Sequence, residues 1–163
     1  MYAHEIMTRD VITIFDDVSM QDVIRRLAEY RVSGLPVVNQ QKRLVGMVTE
    51  ADVLAHPNDN PDTTKVAAIM TRHVITVTAK TTTDEVAQLI TSHRIKRVPV
   101  VDGPYIVGII SREDLVRVLA SRWTCGVCGA IHLGTMPEVC DACGAPGHNF
   151  GRQLDPRPEI SPR

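Results

Sequence analysis

Apolar residues in the first 122 positions form short continuous runs and one helical stripe. The stripe is spaced i, i+3, i+4, i+7 and i+8, which is the period of a helix that buries one face. Its members are Met20, Val23, Ile24, Leu27 and Ala28. The runs at 11–14, 35–38 and 43–49 have the length of buried strands. The pattern predicts a strand, a helix and two further strands.

Polar residues mark where the helices begin. Ser19 and Thr82 stand at N-cap positions, and Glu85, three residues after Thr82, completes a capping box. Asp22 offers a shorter version of the same box after Ser19. A second helix is predicted to begin at Thr49 in one part of the chain and at Ser111 in the other. Short polar turns at 39–42 and 102–104 separate the paired strands.

The pattern occurs twice, because the chain contains an internal repeat. "IMTRDVIT" at 6–13 returns as "IMTRHVIT" at 69–76, and "LVGMVTEADVL" at 44–54 returns as "IVGIISREDLV" at 106–116. Between 6–38 and 69–101, 12 of 33 positions are identical. We therefore predict an α/β (α+β) fold of two pseudo-symmetric β-α-β-β-α repeats, at 1–60 and 61–122. The Pro-containing segment 55–64 connects them.

All four cysteines lie in one late segment. Cys125 and Cys128 form one C-x2-C pair, and Cys140 and Cys143 form a second pair after eleven residues. This spacing is typical of four thiolates around one metal ion, and the glycine after each pair suits a backbone with positive φ. Two disulfides are the alternative. No signal-peptide pattern opens the chain, so we expect a reducing, cytoplasmic location and favour a small metal-binding domain at 123–150.

The charge of this segment limits the classes of partner that it can bind. Residues 123–150 contain no Lys or Arg, only Glu138 and Asp141. Four thiolates on a divalent metal add about two negative charges, so we expect no binding to nucleic-acid phosphates there. The apolar runs are too short to span a bilayer. The Pro-rich segment 151–163 is predicted to be a disordered tail.

The repeated motifs resemble those of the CBS domain, which occurs in tandem pairs called Bateman modules. The resemblance covers about residues 4–121 and depends on the "IMT…VIT" openings, the "PVV" strands and the G-h-h-[ST]-x-x-D endings. It implies that the chain is a regulatory protein and not an enzyme. It also implies that this regulatory protein binds an adenosyl ligand such as AMP, ADP or ATP. It also implies a homodimer that buries helical faces at 84–93 and 113–121.

The G-h-h-[ST]-x-x-D motif that ends each repeat, called the closing motif below, contains two residue types that can bind a ligand. A Ser or Thr caps a helix start, where free N–H groups favour an anion, and the Asp can accept hydrogen bonds from vicinal hydroxyls. A plain capping box explains the same residues. The CBS resemblance favours phosphate and ribose binding, at Thr49, Asp52, Ser111 and Asp114. It further implies that Thr13 and Thr76 border the adenine.

Basic residues distinguish the two copies. The second copy has Lys96, Arg97 and Arg112. The matching residues of the first copy are Ser33, Gly34 and Glu50. In family members that bind nucleotides, basic residues ahead of the strand's proline hold phosphates. We therefore expect phosphate in the second copy's cleft, beside Ser111 and Asp114; solvated surface charge is the alternative.

Residues 123–150 resemble the short rubredoxin-like domain at the end of rubrerythrins, and more loosely a zinc ribbon. The resemblance depends on "CGAIHLG", "PEVCDACGAP" and a closing Phe. It implies zinc or iron, one per chain. Two functions are then open: a nucleotide sensor whose four-cysteine module is structural or serves in docking, or an electron-transfer protein whose iron–tetrathiolate site is gated by the CBS pair.

Overall fold

The protein, described over residues 1–153 by a computed structural model, consists of two similar α/β halves and a small β unit. In chain order the first half contains α1 (Ala3–Ile6), β1 (Ile14–Phe15), α2 (Met20–Tyr30), β2 (Gly34–Val38), β3 (Leu44–Thr49) and α3 (Glu50–Leu54). The second half contains α4 (Val66–Ile69), β4 (Val77–Thr78), α5 (Thr83–Ser92), β5 (Arg97–Asp102), β6 (Tyr105–Ser111) and α6 (Arg112–Leu119).

Each half contains one three-stranded sheet with the same topology. β1 pairs in parallel with β2, which pairs antiparallel with β3, and β4, β5 and β6 repeat this arrangement. The central strands β2 and β5 are buried, as their continuous apolar runs predict. α2 and α5 begin at capping boxes of Ser19 with Asp22 and of Thr82 with Glu85.

The two halves exchange their first helices. Ala3 of α1 is fully buried in the core of the second half, together with Val77 and Val98. Val66 and Ile69 of α4 are buried in the core of the first half. The core of each sequence repeat is therefore completed by the other repeat, and the structural unit is the pair.

The segments that come after the two exchanged helices pair with the opposite sheet. Thr8 and Ile109 exchange backbone N–H···O hydrogen bonds of 2.9 and 3.0 Å, and Met47 and Thr71 exchange bonds of 2.9 and 2.8 Å. Each half therefore supplies a strand-like segment along the edge of its neighbour's antiparallel pair.

The small unit is an antiparallel sheet in the order β8-β7-β9. Its strands are β7 (Arg122–Cys125), β8 (Ile131–Leu133) and β9 (Phe150–Gln153), with a 3₁₀ turn at Gly147–Asn149. Its buried core contains only Trp123, Cys125, Cys140, Ala145 and Phe150 among the described residues. Two of these five residues are cysteines, so the cysteine cluster is part of the core.

The predicted mixed α/β architecture is confirmed, with three local differences. β1 begins later than the predicted run 11–14, and β4 begins later than the matching run of the second repeat, because the residues before them run along the opposite half instead. α1 and α4 were not predicted, since four residues are too few to show a helical period. β9 includes 151–153, which the sequence assigned to a disordered tail, because these residues pair with β7; 154–163 lie outside the described residues.

Across residues 1–153, none of the helices has both the length and the apolar character that crossing a membrane requires.

Candidate ligand clefts and metal centre

Two clefts form where the halves exchange segments, and each contains residues from both repeats. The Thr49 cleft encloses about 280 Å³ between the start of α3, the segment before β4 and the segment around the start of β5. Its lining includes Thr49, Glu50, Ala51, Thr71, His73, Val74, Ile75, Arg94, Ile95, Lys96, Arg97 and Pro99. Both clefts thus combine an apolar wall with polar side chains at one end, as small-molecule sites commonly do.

The Ser111 cleft is the pseudo-symmetric counterpart and encloses about 390 Å³. It lies between the start of α6, the segment before β1 and the segment around the start of β2. Its lining includes Thr8, Asp10, Val11, Ile12, Arg31, Ser33, Gly34, Pro36, Arg97, Ser111, Glu113, Asp114 and Arg117. The closing motif of each repeat therefore faces the opening segment of the other repeat.

The closing motifs form capping boxes in both halves. Thr49 Oγ1 donates to Asp52 Oδ2 at 2.7 Å and accepts from the Asp52 N–H at 3.3 Å. Ser111 Oγ and Asp114 make the same two bonds at 2.7 and 3.3 Å. The capping alternative is thus realised, and it uses Oδ2 of each carboxylate. Asp114 lines its cleft, whereas Thr49 and its next two residues line the other.

The basic residues do not all lie where the sequence predicted. Lys96 lines the Thr49 cleft, and its Nζ lies 2.7 Å from Glu50 Oε1 of the first repeat. The expectation that Lys96 supports Ser111 and Asp114 is therefore wrong. The prediction fails because the two halves exchange segments. This exchange brings the residues that precede Pro99 in the second repeat next to the start of α3 in the first repeat.

Arg97 lies between the clefts and lines both of them. Its Nη1 donates to the Gly34 carbonyl at 3.0 Å and its Nη2 donates to Ser33 Oγ at 2.9 Å, while the buried Nε has no partner within residues 1–153. Burial lowers the pKa of the Arg97 guanidinium, and the carboxylates of Glu113, Asp114 and Glu50 oppose this change. Arg97 thus places one positive charge at the boundary of the two sites.

Four other predicted residues lie outside both linings, and one of them is Asp52, which comes directly after the lining residue Ala51. Arg112 Nε donates to the Ile95 carbonyl at 2.9 Å, so its side chain turns toward the strand segment. Thr13 and Thr76 also fall outside, since the residues that line the clefts come one or two positions earlier. Those residues are Val11, Ile12, Val74 and Ile75.

Sequence reasoning missed the polar residues of the opening segments. Thr8 and Asp10 line one cleft, and Thr71 and His73, which match them at an offset of 63, line the other. The repeat itself was the available signal. Thr8 and Thr71 are identical in "IMTRDVIT" and "IMTRHVIT" although they come before the predicted strand, which marks this segment as well as the strand.

The four cysteines form one compact cluster. Their sulfur atoms all lie within 4.8 Å of one another, and the pairs Cys125–Cys143 and Cys128–Cys140 are 3.7 Å apart. Four sulfurs at about 2.3 Å from one metal ion would be separated by about 3.8 Å. The cysteines are free rather than joined in disulfides. The donor set therefore fits a tetrahedral metal site.

Both cysteine pairs have the same turn geometry. Gly129 and Gly144 have φ of 75° and 74°, and their N–H groups donate to the Cys125 and Cys140 carbonyls at 2.8 Å. Backbone N–H groups of Cys128 and Val127 lower the pKa of the Cys125 thiol to about 7. The first turn therefore favours a thiolate at Cys125, which is the form that binds metal. In the second pair the Ala145 N–H acts in the same direction, but hydrogen bonds to the neighbouring sulfurs and burial raise the pKa of the Cys143 thiol to about 12.

Comparisons with known proteins match the first 121 residues. The CBS domain family matches residues 3–59 and 66–121. An inosine-5'-monophosphate dehydrogenase of Methanocaldococcus jannaschii is 34% identical over 116 residues, which are 71% of this chain and 23% of that protein. The chain spans between 21% and 43% of the length of three such curated relatives.

Solved structures show the same fold. The CBS domain pair of protein MJ0100, in complex with 5'-methylthioadenosine and S-adenosyl-L-methionine, aligns with a TM-score of 0.66 at 30% identity. That alignment covers 72% of this chain and 94% of the other. CBSX2 in complex with AMP aligns with a TM-score of 0.66 at 28% identity, over 71% of this chain and 93% of that one. The chain therefore belongs to the CBS domain family, with its two CBS domains at residues 3–59 and 66–121.

Proposed function

We propose that this chain is a regulatory, non-enzymatic protein that senses an adenosyl ligand in its CBS clefts. One observation carries this proposal. Two pseudo-symmetric clefts of about 280 and 390 Å³ each place the Ser or Thr that starts a Ser/Thr-x-x-Asp motif opposite an apolar segment from the other repeat, and the Ser111 cleft includes the Asp of its motif as well. The apolar segment suits an adenine ring, and the hydroxyl and carboxylate suit a ribose and its substituents.

The similar structures support the adenosyl class. Their ligands are AMP in one case and 5'-methylthioadenosine with S-adenosyl-L-methionine in the other. All three ligands contain adenine and ribose and differ in the group attached to the 5' carbon. In this chain Asp114, which lines its cleft, is the first candidate to accept ribose hydroxyls. Asp52, at the matching position and next to the lining residue Ala51, is the second. The apolar walls would hold the base.

Isothermal titration of the wild type and two matched variants tests this function. Asp114→Asn and Asp52→Asn keep the size of the side chain and remove its charge. Loss of a charge-assisted hydrogen bond should weaken adenosyl binding by about 1.5–3 kcal/mol, or roughly tenfold to a hundredfold in affinity. Far-UV circular dichroism controls for loss of the helix cap. Absence of heat with AMP, ATP, 5'-methylthioadenosine and S-adenosyl-L-methionine would contradict the proposed function.

We further propose that Cys125, Cys128, Cys140 and Cys143 hold one zinc or iron ion per chain. The sulfur separations, the glycine turns and the lowered pKa of Cys125 support this assignment. A zinc ion would stabilise the small unit, and iron would add one-electron chemistry. Elemental analysis should give about one equivalent per chain. Four thiols that react freely in native, metal-free protein would contradict it.

Electron transfer is the second candidate function. The observation that favours it is the exposure of Cys128 and Cys143, while Cys125 and Cys140 are buried. A redox centre must lie close to its partner, and these exposed sulfurs meet that requirement. Colour separates the candidates, because an Fe(III)–tetrathiolate site is red and a zinc site is colourless. A colourless protein with one zinc would remove this candidate.

A further inference from the structure

We propose that the two clefts select different classes of adenosyl ligand. The Thr49 cleft selects a ligand that carries phosphate, and the Ser111 cleft selects one that lacks phosphate and is uncharged or cationic. This proposal rests on adenosyl binding as the proposed function and adds a chemical class for each site. It depends on the charged residues that the exchanged segments bring to each cleft.

The Thr49 cleft has an excess of positive charge. Three basic residues, Arg94, Lys96 and Arg97, line it, and Glu50 is its single acidic lining residue among those described. Lys96 and Glu50 are 60% and 51% exposed, so their ion pair is open to water and easily exchanged. A phosphate that enters this cleft can take Glu50's place on Lys96.

The Ser111 cleft has balanced charge and places carboxylates inside. Three basic residues line it, Arg31, Arg97 and Arg117, together with three acidic residues, Asp10, Glu113 and Asp114. At the positions of Asp10 and Glu113 the Thr49 cleft has His73 and Ala51. Neither carboxylate is in an ion pair within residues 1–153.

The Ser111 cleft differs from the Thr49 cleft mainly in its carboxylates. Arg31 stands where the Thr49 cleft has Arg94, Arg97 is shared by both clefts, and Arg117 Nη1 lies 3.4 Å from Asp114 Oδ1. A phosphate here would meet the carboxylates of Asp10 and Glu113, which have no acidic counterpart in the Thr49 cleft. An ammonium or sulfonium group would instead be stabilised by Asp10 and Glu113. Charge therefore favours opposite ligand classes in the two clefts.

Crossed titrations test this selection, with AMP and S-adenosyl-L-methionine as probes on the full chain. Lys96→Ala should weaken AMP binding about tenfold or more and leave S-adenosyl-L-methionine within about twofold. The double variant Asp10→Asn with Glu113→Gln should do the reverse. Lys80→Ala, which removes an exposed cation outside both linings, is the charge control.

The outcomes separate this proposal from the proposed function. If Lys96→Ala weakens both probes equally, or if the double variant leaves S-adenosyl-L-methionine unchanged, the selection is wrong although adenosyl binding stands. If neither probe binds the wild type, both proposals fail. The crossed pattern, with AMP binding that weakens in high salt more than S-adenosyl-L-methionine binding does, supports the selection.

A second inference depends on a different feature, the helix α6. Its first turn lies in the Ser111 cleft, and its last residues are bonded to the four-cysteine unit. The Arg117 carbonyl accepts from Ser121 Oγ at 2.9 Å, and Ser121 Oγ accepts from Arg152 Nη2 of β9 at 2.8 Å. The Ser121 carbonyl accepts from the Gly134 N–H at 2.9 Å. α3 has no such continuation, since the connector comes after it.

We infer that ligand binding in the Ser111 cleft is coupled through α6 to the metal-binding unit. A ligand that binds Asp114 or Arg117 changes the side-chain contacts in the first turns of α6. The end of α6 is held to β7 and β9 by hydrogen bonds, so the change can reach the metal-binding unit. Coupling of this kind is reciprocal, so the metal should also change affinity in the Ser111 cleft. The Thr49 cleft should show neither effect.

Trp123, the single tryptophan of the chain, reports on this coupling. It lies in β7, its Nε1 donates to the Gly134 carbonyl at 2.8 Å, and the Arg152 guanidinium lies 5.8 Å from its ring centre. In zinc-loaded protein, saturating S-adenosyl-L-methionine should change Trp123 emission. Arg152→Ala should at least halve that change and bring the affinity for S-adenosyl-L-methionine toward that of the zinc-free protein. Arg122→Ala, which changes an exposed arginine of β7, should do neither.

Heat without any emission change in the wild type would overturn the coupling, and so would an unchanged response in Arg152→Ala. Absence of heat would overturn it together with the proposed function. A smaller emission response in Arg152→Ala alone, with a weaker affinity after zinc removal, supports it.

Discussion

The ion pair of Glu50 and Lys96 at the Thr49 cleft allows a sharp test of the charge argument. Glu50→Gln removes the carboxylate that lies 2.7 Å from Lys96 Nζ and keeps the side chain's size. If phosphate binds at Lys96, the substitution should strengthen AMP binding, because the phosphate no longer competes with or is repelled by Glu50. Few substitutions at a binding cleft are expected to increase affinity, so the sign of the effect is informative.

The size of the effect depends on the exposure of the pair. Two unit charges about 6 Å apart interact by about 0.7 kcal/mol in water and about 3 kcal/mol at an effective dielectric constant of about 20. Since the two side chains are 60% and 51% exposed, the value should lie near the lower limit, at about 1 kcal/mol. That corresponds to about a fivefold gain in AMP affinity. The fold should lose at most about 1 kcal/mol.

Isothermal titration at low salt and at about 0.5 M salt measures this gain. The gain should shrink at high salt, where screening has already reduced the repulsion. Glu29→Gln, an exposed substitution on α2 outside both linings, makes the same change in net charge and should leave AMP affinity unaltered. An AMP affinity for Glu50→Gln that is equal to or weaker than that of the wild type at low salt would refute the reasoning.

Three further predictions concern the rest of the molecule. Removal of the metal by a chelator at neutral pH should shift Trp123 emission to the red, because the core of the small unit depends on its cysteines. Most of the far-UV circular dichroism should remain, since the two larger halves do not contain the metal site. An unshifted emission would show that the unit folds without metal. Leu119→Asp on α6 should convert a homodimer into an 18.0 kDa monomer in light scattering, since Leu119 is apolar and 69% exposed in one chain; a wild type that is itself monomeric would contradict this. The Thr82 N–H and hydroxyl lower the pKa of Glu85 below its usual 4.5, so the stabilisation is present above pH 4.5 and is lost as pH falls through the lower folded pKa. In urea unfolding at a series of pH values, the stability of Glu85→Gln should fall less steeply toward acid pH than that of the wild type. Equal slopes would be evidence against the capping contribution.

The sequence was most informative where structure is local. The stripe at Met20, the capping motifs and the strand runs depend on neighbouring residues, and the structure confirms the elements that they predict. The repeat also indicated which positions matter, since equivalent residues line the two clefts. The cysteine spacing likewise predicted the cluster that the structure contains.

The grouping of residues into sites was not accessible in the same way. Lys96 comes after the second repeat's helix in sequence, yet it contacts Glu50 of the first repeat. No periodicity distinguishes a repeat that closes on itself from one that exchanges segments with its neighbour. Thr13 and Thr76 were also misplaced for this reason. They belong to the segments that line the clefts, but they come after the last residues of those segments in the linings, Ile12 and Ile75.

The exchange of α1 and α4 has a consequence for how such a chain can arise and be divided. A single repeat expressed alone would have a core without the residues that Ala3 or Val66 supply, and only another copy of the repeat could provide them. Two copies of an ancestral single-repeat chain, each inserting its first helix into the other, would form the same arrangement without a connector. The connector at 55–64 then corresponds to the fusion point of that swapped dimer, and cutting it should leave the two halves joined.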